Sequence, residues 1–302
     1  MKNNILITLD STCDFSPELL HEYGLEYMKM GVNIDDVEYK ASLEWEDFTQ
    51  EEFYKKMVEL KKQNKRVFTV ALNLEDIREY FIRWLNEGYD IIYIGCSSGL
   101  SASVKNGEKI AQELRPLFPD HKIYVLDPKM SGMGQGLFGI RASELRAEGK
   151  DIDEIYETLQ EEVLHINQVG VVDDLNYLKL AGRVKASKAF FGNLFGVKPL
   201  LVTDINGSNI ATQKAKGRKQ AMEMAVQMTL DRIENSENRF VTISHADCEE
   251  DALQLKEMLI KANCPCKGYL ISTLGPILGA SCGPKTLKVD CFGKKVDLAP
   301  EE

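Results

Sequence analysis

The stretch DIIYIGCSSGLSASV, residues 90–104, carries the clearest fold signal in the chain. Its first part, residues 90–96, is rich in β-branched and aromatic residues, which predicts a buried strand. A turn of glycine and serine follows, and apolar residues then recur at three- and four-residue spacing over residues 103–117, which predicts a helix. A buried strand joined to a helix by a short polar turn is the repeating unit of α/β proteins.

The same unit recurs on both sides of this stretch. Short apolar runs predict further buried strands, and longer segments with helical spacing lie between them. The predicted strands are residues 5–9, 66–71 and 122–126, and the predicted helices are 50–63, 74–86 and 132–149. Strands and helices that alternate in this way predict a mainly parallel sheet covered on both faces, which is a three-layer αβα architecture.

The pattern changes after about residue 165. A strand predicted at 198–203 is followed by Asn206-Gly207, a pair that favours a type I′ turn and therefore a hairpin. Further strands and helices alternate as far as residue 272. We therefore predict an N-terminal α/β domain over residues 1–165 and a C-terminal α/β domain with a mixed sheet over residues 166–302.

Charge and cysteine content set limits on function. Lys and Arg number 37 against 47 Asp and Glu, which gives a net charge of −10. Such a chain repels phosphate backbones and anionic lipid surfaces, so we expect no nucleic acid partner and no stable membrane anchoring. The odd number of cysteines, without a CxxC motif, fits a reducing compartment rather than disulfides or a zinc site. Because Asp10 also interrupts the first apolar run, we expect no signal peptide and a cytoplasmic protein.

Hydroxyl groups follow several of the predicted strands. Ser97 and Ser98 come directly after the strand of the quoted stretch, and Ser11 and Thr12 come after the first strand. Thr69 lies at the end of a third strand. The carboxyl ends of parallel strands meet at one edge of a sheet, beside helix N-termini, and hydroxyls placed there suit an anionic head group.

The same residues also have a simpler interpretation. Ser101 or Ser103 caps the helix that follows, and Asp14 or Ser16 starts the first helix of the chain. Thr69 taken alone is an ordinary β-branched strand residue. Position alone leaves both interpretations open.

Two enzyme classes remain as alternatives. Gly134-Gln-Gly136-Leu-Phe-Gly139 matches the GxGxxG pattern of dinucleotide-binding proteins, but these glycines come about two turns after the end of the preceding strand. Close backbone packing is the better explanation, so we expect no cofactor. The second alternative is an enzyme that acts on a small acyl or phospho substrate with Cys13, Cys96 or Ser98 as nucleophile, although no GxSxG elbow supports it.

Several motifs, taken together and in order, resemble the DegV-like family over nearly the whole chain. They are Asp-Ser-Thr-x-Asp at 10–14, Ser-Ser-x-Leu-Ser-x-Ser at 97–103, an Asp followed by small residues and Gly-x-Gly at 127–136, Leu-x-Tyr-Leu-x-x-Ala-Gly-Arg at 175–183, and Lys-Pro-Leu-Leu at 198–201.

This resemblance implies a two-domain fold that buries the acyl chain of a long-chain fatty acid. Thr69 and Ser98 would hold the carboxylate, and Arg183 would lie near the head group and a fatty acid kinase partner that phosphorylates it. The sequence departs from the family pattern at three places. Residues 69–73 keep only the threonine of the family's Thr-Ser-Gln-Pro-Ser motif, Ser281 replaces a histidine, and Ala181 replaces the first glycine of Gly-Gly-Arg. The implied role is ligand binding, without catalysis by this chain.

Overall fold

The computed structural model describes residues 4–186, 190 and 196–299; the ends of the two predicted domains, residues 1–3 and 300–302, lie outside the described residues. The described residues form a four-stranded parallel sheet, a six-stranded mixed sheet and a three-stranded antiparallel sheet. The parallel sheet precedes residue 165 and the mixed sheet follows it. The predicted α/β fold, with a parallel sheet followed by a mixed one, is confirmed.

The parallel sheet has β1 and β6 at its centre. Its strands are β1 (Ile5–Asp10), β2 (Leu25–Met28), β6 (Asp90–Ile94) and β7 (Ile123–Leu126), in the order β2-β1-β6-β7. The chain runs outward from β1 to β2 on one side and from β6 to β7 on the other. The boundary between β1 and β6 is therefore the point at which the strand order reverses, where open α/β sheets usually bind ligands.

Helices cover both faces of this sheet. They are α1 (Pro17–Glu22), α2 (Gln50–Lys62), α3 (Leu74–Asn86), α4 (Ser103–Leu114), α5 (Met133–Ala147) and α6 (Ile152–Glu162). Apolar residues of α3 and α4 pack with Leu6 and Tyr93 on one face, and those of α5 and α6 pack with Ile7 and Leu9 on the other. The three-layer arrangement follows from strands that are buried on both sides.

The strand predicted at 66–71 does not join the parallel sheet. It is shortened to β5 (Phe68–Val70) and pairs with β3 (Gly31–Ile34), which also pairs with β4 (Val37–Lys40). All of these pairings are antiparallel. The prediction was wrong because an apolar run shows that a strand exists but does not identify its partner. Phe68 and Val70 are exposed, as a short edge strand allows.

The mixed sheet has the order β10-β9-β8-β13-β11-β12. Its strands are β8 (Ile166–Val171), β9 (Val197–Thr203), β10 (Asn209–Lys216), β11 (Phe240–His245), β12 (Gly268–Thr273) and β13 (Leu287–Phe292). Among the described residues of this half, the helices are α7 (Asn176–Ala181), α8 (Gly217–Arg232), α9 (Glu249–Lys261) and α10 (Pro276–Cys282).

The hairpin predicted between β9 and β10 is present, but its turn is not of type I′. A type I′ turn needs positive φ at both central residues, and only Gly207 has it, at 77°. The Asp204 carboxylate accepts the backbone N–H groups of Asn206, at 2.9 Å, and Ser208, at 2.8 Å. These two bonds favour a longer loop, in which one glycine provides the left-handed residue.

Helix α10 links the two halves. Ile277 and Leu278 belong to the hydrophobic core that also contains Met30 and Phe53. The Tyr54 hydroxyl donates a hydrogen bond of 2.7 Å to the Leu274 carbonyl oxygen, just before α10. A helix from the C-terminal half is therefore part of the core of the N-terminal half.

Candidate ligand-binding cavity

A cavity of about 750 Å³, counting its opening to solvent, lies between the carboxyl edge of the parallel sheet and the mixed sheet. Thr12 and Cys96, which follow β1 and β6, line it on one side, and Gly170 of β8 and Leu201 of β9 line it on the other. Its other apolar lining residues are Met30, Ala71, Leu100, Val172, Leu178, Leu274, Ile277 and Leu278. A mainly apolar lining with a few polar groups is typical of a small-molecule site.

The cavity adjoins a second space of about 850 Å³, also counted with its opening. Thr69, Arg183 and Ser281 line both spaces, and we call these three residues the mouth. All three were predicted as ligand-binding residues. The structure thus brings together side chains from β5, from the segment after α7 and from α10.

Thr69 offers an unused hydrogen-bond donor at the mouth. It is the central residue of β5 and pairs with Val32 of β3. Because side chains alternate along a strand, Thr69 lies on the opposite face from the exposed Phe68 and Val70, and so faces the cavity. Its hydroxyl has no hydrogen-bond partner among the residues that the structure describes.

Arg183 is held at the mouth by backbone carbonyl groups. Gly182 ends α7 in the left-handed conformation, with φ 69°, a position that favours glycine. The Arg183 Nε atom donates to the Leu100 carbonyl oxygen at 3.0 Å, and Nη1 donates to the carbonyl oxygen of Ala181. The charge of the guanidinium is therefore fixed beside the cavity without a carboxylate partner in these contacts.

Ser281 completes the mouth as an acceptor. Its hydroxyl donates to the Ile277 carbonyl oxygen at 3.2 Å, one turn back in α10. This bond uses the only proton of the hydroxyl and leaves its lone pairs available.

The second space has a basic rim. Lys61, Lys65 and Arg66 line it together with Arg183. Lys61 pairs with Asp174, and Lys65 pairs with Asp35, a contact that raises the pKa of Lys65. A rim with four cations suits an anionic group outside the mouth.

Ser97 and Ser98 are not lining residues of the cavity. The buried Ser97 hydroxyl donates to the Gly207 carbonyl oxygen at 2.9 Å, which ties the turn after β6 to the β9–β10 hairpin. Ser98 Oγ accepts a hydrogen bond of 3.1 Å from Lys129 Nζ, and the Ser98 N–H donates to the Asp127 carboxylate at 3.2 Å. Although burial favours the neutral acid, a hydrogen bond of 2.6 Å from Lys129 Nζ, together with the contacts from Ser98, holds the pKa of Asp127 below its usual value.

Ser101, from the same turn, does line the cavity. Its hydroxyl accepts the Ser103 N–H at 3.2 Å and lies 3.0 Å from Ser103 Oγ. The sequence predicted Ser101 only as a possible cap for the following helix. Its place in the cavity depends on how the turn bends after Ser98, which the residue pattern does not specify.

The two hydroxyls after β1 also have internal partners. Ser11 Oγ accepts the Met30 N–H at 3.0 Å. Thr12 lines the cavity, but its hydroxyl has acceptors in the Asp10 carboxylate and, at 2.6 Å, in Gln135 Oε1. Because a hydroxyl has one proton, Thr12 presents lone pairs to a ligand and not a donor.

The cysteines proposed as nucleophiles are poorly suited to that chemistry. Burial raises the pKa of Cys13 well above its usual value and also raises the pKa of Cys96. Both thiols therefore stay protonated at neutral pH, and a protonated thiol is a weak nucleophile.

The glycines of the GxGxxG match lie inside α5, where they allow close packing. A Cβ atom on Gly136 would lie 2.3 Å from the Phe15 ring, and one on Gly139 would lie 3.1 Å from Leu25 Cδ1. The interpretation as packing glycines is consistent with these distances. They do not form the strand-to-helix bend of a dinucleotide site.

Among the residues with described structure, no helix has both the length and the apolar composition needed to cross a bilayer. Their histidine, cysteine, aspartate and glutamate side chains include no group of three placed to hold a metal ion.

Solved structures with the same architecture include proteins described as fatty acid binding. A DegV family protein from Thermus thermophilus, described for its fatty acid binding, superimposes with a TM-score of 0.86 at 23% identity, covering 96% of this chain and 100% of that one. A second, from Ruminococcus gnavus and refined with vaccenic acid, gives a TM-score of 0.85 at 19% identity, covering 96% of this chain and 100% of that one. At these identities the likeness establishes the fold.

Sequence comparison agrees over the same length. A DegV domain-containing protein of Clostridium perfringens is 32% identical over 293 residues, covering 97% of this chain and 98% of its own length. The family model described as "Uncharacterised protein, DegV family" matches residues 4–291. With its motifs, its fold and nearly its full length in agreement, the chain belongs to the DegV family.

Proposed function

We propose that this protein binds a long-chain fatty acid, with the acyl chain in the cavity and the carboxylate at the mouth. The main support is the combination of a buried apolar cavity with an unpartnered hydroxyl, from Thr69, and a fixed cation, Arg183, at its opening. The fatty acids associated with the T. thermophilus and R. gnavus proteins support the same ligand class.

The acyl chain contributes most of the binding free energy. Burial yields ~0.8 kcal/mol per CH₂, so a chain of about sixteen methylenes gains on the order of 10 kcal/mol before ordering costs. A hydrogen bond to the charged carboxylate adds about 1.5–3 kcal/mol. The chain therefore sets affinity, and the mouth selects an acid over a neutral lipid.

The further steps of this proposal concern a partner. We infer that the bound carboxylate is presented to a fatty acid kinase in the cytoplasm. The basic rim of Lys61, Lys65, Arg66 and Arg183 lies directly outside the mouth, where a phosphoryl group would approach. All seven cysteines are free, as expected in a reducing compartment.

Extraction of the purified protein with organic solvent, followed by mass spectrometry, tests ligand binding. The expected result is one fatty acid per protein, recovered at a lower yield from Thr69→Val. Reloading the stripped protein with the recovered acid should restore the complex in native mass spectrometry. A stripped protein that takes up no fatty acid of any chain length would refute the proposal.

A further inference from the structure

Part of the cavity that is not shared with the second space is polar. Thr12, Ser131 and Lys288 line the cavity but not the second space, and we call these residues the inner end. All three are buried, and the side chain of Lys288 is only 7% exposed. An ammonium group in the wall of a site for hydrocarbon is costly unless its donors have partners.

Lys288 has fewer partners than donors. Its Nζ atom donates to the Ser131 carbonyl oxygen and lies 3.0 Å from Asp290 Oδ1. The two residues are two apart on β13 and therefore share one face of the sheet. The Asp290 contact is an ion pair at hydrogen-bonding distance. With one N–H directed at the Ser131 carbonyl oxygen and one at Asp290, the third N–H of the ammonium has no acceptor among the described residues.

One acceptor and one more hydroxyl near Lys288 are also unused. Asp14 Oδ2 is buried without a hydrogen-bond partner among the described residues. A Cβ on Gly132 would lie 2.6 Å from Lys288 Nζ and 3.2 Å from Asp14 Oδ2, so glycine at this position lets the ammonium and the carboxylate approach the same stretch of backbone. The Ser131 hydroxyl has no hydrogen-bond partner among the described residues either.

The polar groups around Lys288 and Ser131 favour a ligand group that is neutral and that can both donate and accept a hydrogen bond. A terminal methyl group would leave unused donors and acceptors beside hydrocarbon. A second carboxylate would face Asp14 and Asp290, and burial already raises the pKa of both. A hydroxyl can accept from the Lys288 ammonium and donate to the Ser131 hydroxyl oxygen, and both of these residues line the cavity.

Building on the fatty acid binding proposed above, we propose that the preferred ligand is a hydroxylated fatty acid whose chain hydroxyl is bound at the inner end by Lys288 and Ser131. The mouth binds the carboxylate, and the inner end selects the position of the hydroxyl along the chain. Lys288 and Ser131 are thus specificity-determining residues.

The test compares stearic acid with mono-hydroxylated stearic acids that carry the hydroxyl at successive positions. Dissociation constants are measured by calorimetry for the stripped wild type, Lys288→Met, Ser131→Ala and the control Lys295→Met, which changes an exposed lysine. We expect one positional isomer to bind wild type and control about tenfold or more tightly than stearic acid, as one hydrogen bond to a charged group allows. Both inner-end variants should lose most of that preference and keep their affinity for stearic acid.

Each other outcome is decisive. If no isomer binds more tightly than stearic acid, water serves these polar groups and the inference is wrong, while fatty acid binding stands. If folded Lys288→Met loses stearic acid itself, the lysine binds the carboxylate and the inference also fails. Ser131→Ala removes a single hydroxyl and decides the matter if Lys288→Met does not fold. Failure of every acid to bind the wild type refutes the proposed function as well.

Discussion

Replacing Thr69 with valine should weaken fatty acid binding without affecting the fold. Valine keeps the β-branched shape, so β5 keeps its pairing with β3, and no internal hydrogen bond of the Thr69 hydroxyl is lost. The substitution removes one hydrogen bond to a carboxylate, about 1.5–3 kcal/mol, which corresponds to about 10- to 150-fold in the dissociation constant.

The assay is calorimetry on stripped protein with saturated acids of increasing length. Because the tail and the head contribute separately, the gain of ~0.8 kcal/mol per CH₂ should be the same in Thr69→Val and wild type, with a constant offset between them. Ser98→Ala is the matched control: its hydroxyl contacts Lys129 and does not line the cavity, so affinity should stay within about twofold.

A fatty alcohol series separates the charge of the head group from its size. The alcohol should lose much less than the acid on Thr69→Val, since hydrogen bonds between neutral groups are weaker. Equal losses for acid and alcohol, or an unchanged affinity for the acid, would show that Thr69 does not bind the carboxylate. A loss of affinity in Ser98→Ala equal to that in Thr69→Val would show that the carboxylate is bound at Ser98 as well.

Three further predictions concern the cavity, the buried acids and the thiols. A Cβ on Gly170 would meet Leu201 Cβ at an ordinary 3.5 Å, so Gly170→Val should fold, fill part of the cavity and weaken the longest acids most, by about tenfold or more, in the same titrations. Burial raises the pKa of the Asp14 carboxyl group, so the folded state keeps the carboxyl proton to a higher pH than the unfolded state does. The fold therefore loses stability as the pH rises above the pKa of the unfolded state, which is near 3.8. Asp14→Asn should therefore raise the midpoint of thermal unfolding at pH 7 and give little or no increase at pH 3. A larger increase at pH 3 than at pH 7 would contradict the raised pKa of Asp14. Cys13 and Cys96 should resist iodoacetamide at neutral pH until the protein unfolds, and mass spectrometry of labelled peptides would detect an exception.

The sequence was most informative where strands are buried on both faces. The runs that became β1, β6 and β7 are continuous and apolar, and each precedes a segment with helical spacing, so a parallel sheet could be predicted. The run that became β5 looked the same in the sequence. Its antiparallel pairing with β3 is a long-range contact, which a local pattern does not encode.

The candidate site could be predicted only in part from the sequence. Thr69, Arg183 and Ser281 were named from motifs, and the structure brings them to one mouth. Their role in holding a ligand stays a prediction, as does the domain boundary near residue 165. Ser101 and Lys288 were missed. Lys288 lies in the alternating strand β13, where a lysine usually indicates a solvent-facing position.

The position of α10 has a consequence for biosynthesis. Translation proceeds from the N-terminus, so the first half of the chain emerges long before residues 276–282. Until then, the core around Met30 and Phe53 lacks the helix that packs against it. Until the last tenth of the chain is made, the nascent N-terminal half therefore exposes apolar core residues that the finished protein buries, and such surface favours aggregation.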